Sequence, residues 1–115
     1  MASYRAQKNR IELNLSIYTY KKGKQWAVHC PSLDIIDHGD TENEALVAFK
    51  ISFDIYIEDA LKNQTLENNL LEHGWTLTRK PTKKYIPPTY TETELDDLIA
   101  VPNYSLTNES MLIPA

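Results

Sequence analysis

Residues 10–20 alternate in polarity with a period of two. Ile11, Leu13, Leu15 and Ile17 point to one side, and Glu12, Asn14, Ser16 and Tyr18 to the other. That period predicts a half-buried strand. Lys21-Lys22-Gly23-Lys24 supplies a short turn, with Gly23 able to take a positive φ. A second strand is expected over 25–30, so that the pair forms a hairpin. Pro31 has no N–H to donate and ends it. A short third strand is expected over 33–39, broken by Gly39.

The period then shifts to that of a helix. Thr41-Glu42-Asn43-Glu44 has the form of a capping box. The Thr41 hydroxyl is placed to accept from the N–H of Glu44, and the Glu44 carboxylate to accept from the N–H of Thr41. The helix is predicted to run to Lys62 or Asn63. At about 100° per residue, Leu46, Phe49, Phe53, Tyr56, Ile57 and Ala60 share one broad face that should cover the sheet. Val47, Ile51 and Ile55 fall on nearly the opposite side, flanked by Glu44, Asp54 and Glu58. A helix on a single open sheet should be polar there. The row is expected to be singly exposed β-branched residues, to be covered by the chain's own tail, or to meet another protein.

Residues 65–73 predict a short second helix stopped by Gly74, and 75–79 a fourth strand. Pro81, Pro87 and Pro88 make 80–90 an extended linker. Thr91-Glu92-Thr93-Glu94 opens a helix of about two turns through Ala100, ended by Pro102. Residues 103–115 read as a tail with one charge, Glu109, and an apolar end at Met111-Leu112-Ile113. The order is β-β-β-α-(short α)-β followed by an arm. Residues 1–79 are expected to form one domain, and 80–115 a proline-containing arm that is not an independent domain. The fold class is α+β, a small antiparallel sheet packed on one main helix.

Composition adds bounds. The chain has 115 residues, 42% hydrophobic and 24% charged, which suits one soluble globular domain. No stretch approaches the length of a membrane-spanning helix. The polar N-terminus lacks the apolar run of a secretory signal, so a cytoplasmic location is expected. Cys30 is the single cysteine, which excludes an intrachain disulfide and a cysteine-based zinc site.

The net charge of −4 hides an asymmetry. Residues 1–31 carry six bases and one acid, residues 32–78 two bases and ten acids, and residues 79–115 four bases and five acids. An acidic middle does not suit binding along a phosphate backbone. It suits a basic protein partner, whose approach a complementary field would steer.

Little in the sequence points to catalysis. His29, His38 and His73 show no HxxxH or HExxH spacing. Adjacent strand residues face opposite sides, so His29 cannot activate Cys30, which is expected to be a small buried hydrophobe. Three glycines in all exclude a glycine-rich phosphate cradle. No catalytic residue, metal ligand or cofactor is assigned. The alternative of a small RNA-binding protein or nuclease rests on Tyr18, Tyr20 and Trp26 beside Lys21, Lys22 and Lys24, a possible base-stacking surface.

Two segments, 25–33 (Gln-Trp-Ala-Val-His-Cys-Pro-Ser-Leu) and 38–45 (His-Gly-Asp-Thr-Glu-Asn-Glu-Ala), followed by an apolar-rich helix, resemble the HicB-like antitoxins. The matching positions are Pro31, Leu33, Gly39, Asp40, Thr41, Glu44 and Ala45, and the resemblance covers about residues 10–79. It implies a β-β-β-α-β core, a degraded RNase H-like fold without the catalytic acids. It also implies a non-enzymatic partner of a HicA-type toxin, a small basic ribonuclease masked by stoichiometric occlusion. Many members add a C-terminal DNA-binding domain. Residues 80–115 have room for one short helix, so DNA binding is not expected of this chain. The candidate partner-binding residues are Asp34, Asp37 and His38 on an acidic edge, and Val47, Ile51 and Ile55 on the helix back. A homo-oligomer is also expected, and an orphan oligomeric HicB-like regulator is the alternative.

Overall fold

A computed structural model describes residues 10–78, 84–101 and 103–114. Its longest strand, β1 (Arg10–Lys22), turns through Gly23 into β2 (Gln25–Cys30), and β3 (Ile35–Gly39) follows. Gly23 has φ +65°, which suits the first position of a two-residue hairpin loop. The main helix, α1, spans Glu42–Lys62, and a short α2 spans Leu66–Glu72. Then come β4 (Thr76–Thr78), β5 (Lys84–Ile86), α3 (Glu92–Ile99) and β6 (Ser105–Pro114).

The α+β class and the packing of a sheet on one main helix are as expected, but the sheet is larger and mixed. It has six strands. β1 pairs antiparallel with β2 and β6, and parallel with β5 at Leu13–Tyr85. β3 pairs with β2, and β4 with β5. Each residue of a strand has one neighbour on each side. Leu13 pairs with both Tyr85 and Met111, and Tyr18 with both His29 and Leu106. Hence β6 runs along one edge of β1, and β2 and β5 share the other.

Two of these strands are absent from the sequence-based reading. The stretch read as a linker contains β5, and the tail is β6, which pairs with β1 from Arg10–Pro114 to Thr19–Ser105. The third strand begins at Ile35 rather than Leu33, because 31–34 form a turn in which the N–H of Leu33 donates to Cys30 and that of Asp34 to Pro31. Pro81 and Pro102, read as breakers, lie outside the described residues, as does the end of the predicted fourth strand at Arg79.

α1 begins where its cap dictates. The Thr41 hydroxyl accepts from the N–H of Glu44 at 3.1 Å. The Glu44 carboxylate, however, accepts from the N–H of Asp40 at 3.0 Å rather than from Thr41. Ala45, Phe49, Phe53, Ile57 and Ala60 are buried against Leu13, Leu15, Ile17, Val28 and Cys30 of the sheet. A large aliphatic or aromatic side chain taken out of water in this way contributes about 1.5–3 kcal/mol. Leu46 and Tyr56 pack half-buried at the margins of that face.

The other side of the sheet is covered at one end by α3. Its N-cap is a full capping box, with Thr91 accepting from the N–H of Glu94 and Glu94 accepting from the N–H of Thr91, both at 3.2 Å. Leu95 and Ile99, four residues apart on one face, bury Tyr18, Tyr20 and Ala27. Among the described residues no helix is long and apolar enough to cross a membrane.

Candidate functional site

The six candidate contact residues fall on two surfaces. Asp34, Asp37 and His38 lie on or beside β3, an outer strand. Val47, Ile51 and Ile55 lie on the solvent side of α1, with 49%, 56% and 62% of their surfaces exposed.

Around β3 the geometry separates the three side chains. Asp34 is exposed and holds φ +57°, a left-handed conformation that aspartate tolerates better than most residues. Asp37 pairs with Val28, and therefore faces α1, whereas His38 pairs with Ala27 and faces the other way, exposed. One carboxylate oxygen of Asp37, Oδ2, is buried and has no hydrogen-bond partner among the described residues. A buried acceptor of this kind is costly unless a donor reaches it.

The apolar row on α1 is not covered by the chain's own tail, which is occupied in pairing with β1. Glu44, Asp54 and Glu58 beside it are all exposed. Next to this row, between α1 and β6, runs an open groove of about 390 Å³. Phe53, Ile57, Leu61, Met111 and Ile113 form its apolar lining, and Asp54 and Glu58 its helix-side rim. Sequence reasoning missed this groove because it missed β6. Its lining alternates only at the end of the tail, at Met111 and Ile113.

The remaining chemistry-bearing residues are placed where they serve the core. Cys30 is fully buried, its Sγ 3.4 Å from the Ser32 hydroxyl. Burial pushes the thiol up, against hydrogen bonds from the Ser32 side chain and from the backbone of Leu33 and Ser32 that favour the thiolate. His29 faces the opposite side of the sheet, as strand alternation requires. Its pKa is lowered by burial, with the Asp34 charge acting the other way. Among the described residues no group of three His, Cys, Asp or Glu side chains is placed to hold a metal ion.

The aromatic hairpin does not form a stacking platform. Tyr18 and Tyr20 are only 5% and 3% exposed, beneath α3. Tyr18 meets Tyr104 edge to face with ring centroids 5.5 Å apart. Trp26 pairs with Lys21 and packs with the α1-side core, on the other face from Tyr20. No family model, curated protein or solved structure matches this chain.

Proposed function

We propose that this chain is a binding module of the HicB-like antitoxin type, acting by stoichiometric occlusion of a small basic ribonuclease of the HicA type. The observation that carries the reading is the exposed row Val47, Ile51 and Ile55, set among Glu44, Asp54 and Glu58. Apolar residues repeated on the solvent side of a packed helix that carries five acids against Lys50 and Lys62 have the anatomy of a protein contact with a basic partner.

Recognition then divides between two terms. The apolar row supplies desolvated area, and the acidic residues supply steering and orientation. Catalysis belongs to the partner in this scheme, and this chain's side chains act by filling the partner's RNA-binding surface. α3 carries Glu92, Glu94, Asp96 and Asp97 and no base, so a DNA-reading role for the C-terminal third is not part of the proposal.

The test is affinity capture from the source lysate with Ile51→Glu and Asp34→Lys/Asp37→Lys variants beside the wild type. The expected result is a small basic protein in equimolar amount. Its affinity should fall roughly tenfold or more with Ile51→Glu, as at a central contact. Charge reversal should flatten its dependence on salt. Recovery of the bait alone at low salt would contradict the proposal.

A further inference from the structure

The outer edge of β6 has backbone groups with nothing to pair with among the described residues. Their identity follows from the register. Lys22–Gln25 closes a two-residue hairpin. That closing pair exchanges both backbone hydrogen bonds, and bonded and non-bonded pairs then alternate along the ladder. Tyr18, Tyr20 and Lys22 therefore bond to β2, while Leu13, Leu15, Ile17 and Thr19 bond to β6. Their partners Met111, Glu109, Thr107 and Ser105 face β1. Leu106, Asn108, Ser110 and Leu112 are left presenting N–H and C=O outward.

Natural edge strands are usually shortened, bulged, or defended by lysine or proline. β6 is ten residues long. From Ser105 to Ile113 it carries one charge, Glu109, and no proline. Beside it lies the groove under α1, lined by Phe53, Ile57, Leu61, Met111 and Ile113. A strand laid against β6 would turn alternate side chains into that groove and the others to the opposite face. Charge selects the occupant. Asp54 and Glu58 rim the groove, and Glu109 pairs with Leu15, which places it on the same face. A second copy of β6 would bring its own Glu109 to these acids, whereas a basic strand would neutralise them.

We propose that β6 is the docking edge for an extended strand of a basic partner, added by main-chain pairing. Its alternate apolar side chains fill the groove, and lysine or arginine reaches Asp54, Glu58 and Glu109. The proposal rests on the binding-module reading and gives the partner's contacting segment a conformation and a sequence pattern.

The test is selection of a phage-displayed random 12-residue peptide library on the full-length chain, followed by affinity measurements on the enriched peptides. Asn108→Pro and Ser110→Pro each remove one outward N–H while leaving the bonds to β1, which edge strands tolerate. Enrichment of peptides alternating apolar with basic residues is expected. Their affinity should fall roughly three- to tenfold in either proline variant, the worth of a backbone bond. The exposed double reversal Asp54→Lys/Glu58→Lys should shift the selection to acidic peptides, a readout independent of any effect of proline on the strand. Basic peptides that bind both proline variants as tightly as the wild type would overturn edge docking while leaving the binding-module reading intact. Failure to enrich basic peptides would overturn both. A dimer in sedimentation that Ser110→Pro dissociates would assign the edge to a second copy instead and overturn the proposal.

Discussion

A Cβ atom added to Gly39 would lie 2.6 Å from the backbone nitrogen of Ala45. The end of β3 and the first turn of α1 thus approach more closely than any side chain permits. Glu44 would be met as well, at 2.8 Å from its Cβ. The glycine of the His38-Gly39-Asp40-Thr41 segment is therefore required by packing, since its backbone is not in the left-handed region. Gly39→Ala is expected to cost about 1–3 kcal/mol, the range for overpacking against atoms that cannot swing aside. Urea unfolding monitored by circular dichroism measures it, and unchanged stability would mean that α1 shifts freely on the sheet.

Trp75 joins the end of α2 to the turn after β2. Its indole N–H donates to the carbonyl of Ser32 at 2.7 Å, and the ring is buried in the main core. Trp75→Phe keeps an aromatic ring but leaves that carbonyl unpaired. A loss of about 1–3 kcal/mol is expected, seen as a lower urea midpoint with an unchanged slope.

Ala100 caps α3 with φ +59°, in the left-handed region where an L side chain is strained. Ala100→Gly should relieve roughly 1 kcal/mol. Because α3 lies on Tyr18 and Tyr20, the gain should appear as slower amide exchange in the Tyr18–Tyr20 segment as well as a higher melting temperature.

His29 gives the fold a pH dependence with a definite sign. Burial lowers its pKa in the folded state, and the Asp34 charge opposes but does not reverse this. The unfolded chain therefore binds the proton first as pH falls below about 6.5. The stability from neutral, buried His29 is fully present above that pH and is lost as pH falls toward the folded pKa. His29→Leu should thus gain on the wild type between pH 7.5 and 5.5 in paired urea titrations. A difference that stays constant over this range would show that His29 is not held neutral.

The parts of the fold that were legible are those where local pattern and tertiary environment agree. The period-two run at Leu13–Ile17, the cap at Thr41 and the Phe49–Ile57 face of α1 are each marked by local pattern. β6 does not. Its α1-facing positions, Ser105, Thr107, Glu109, Met111 and Ile113, are polar in the first half, so no alternation marks a strand. Backbone pairing with β1 imposes it, and sequence carries no trace of that pairing. The burial of Tyr18 and Tyr20 was hidden for a related reason. Alternation separates the two faces of a strand without saying that a distant helix covers the second. Leu95 and Ile99, spaced four apart on a capped helix with few other apolar residues, were the available signal. The candidate residues were legible as types, acids and an apolar row. Their division between β3 and α1 depends on tertiary packing: α1 buries its Phe49–Ile57 face on the sheet and turns Val47, Ile51 and Ile55 to solvent.

Occlusion is tested most directly by titrating this chain into its captured basic partner while following cleavage of a labelled RNA. A linear fall in cleavage to zero at one equivalent is the expected result, with the endpoint moved to large excess by Ile51→Glu. Full ribonuclease activity in the presence of saturating chain, or no cleavage by the partner alone, would contradict neutralisation by occlusion.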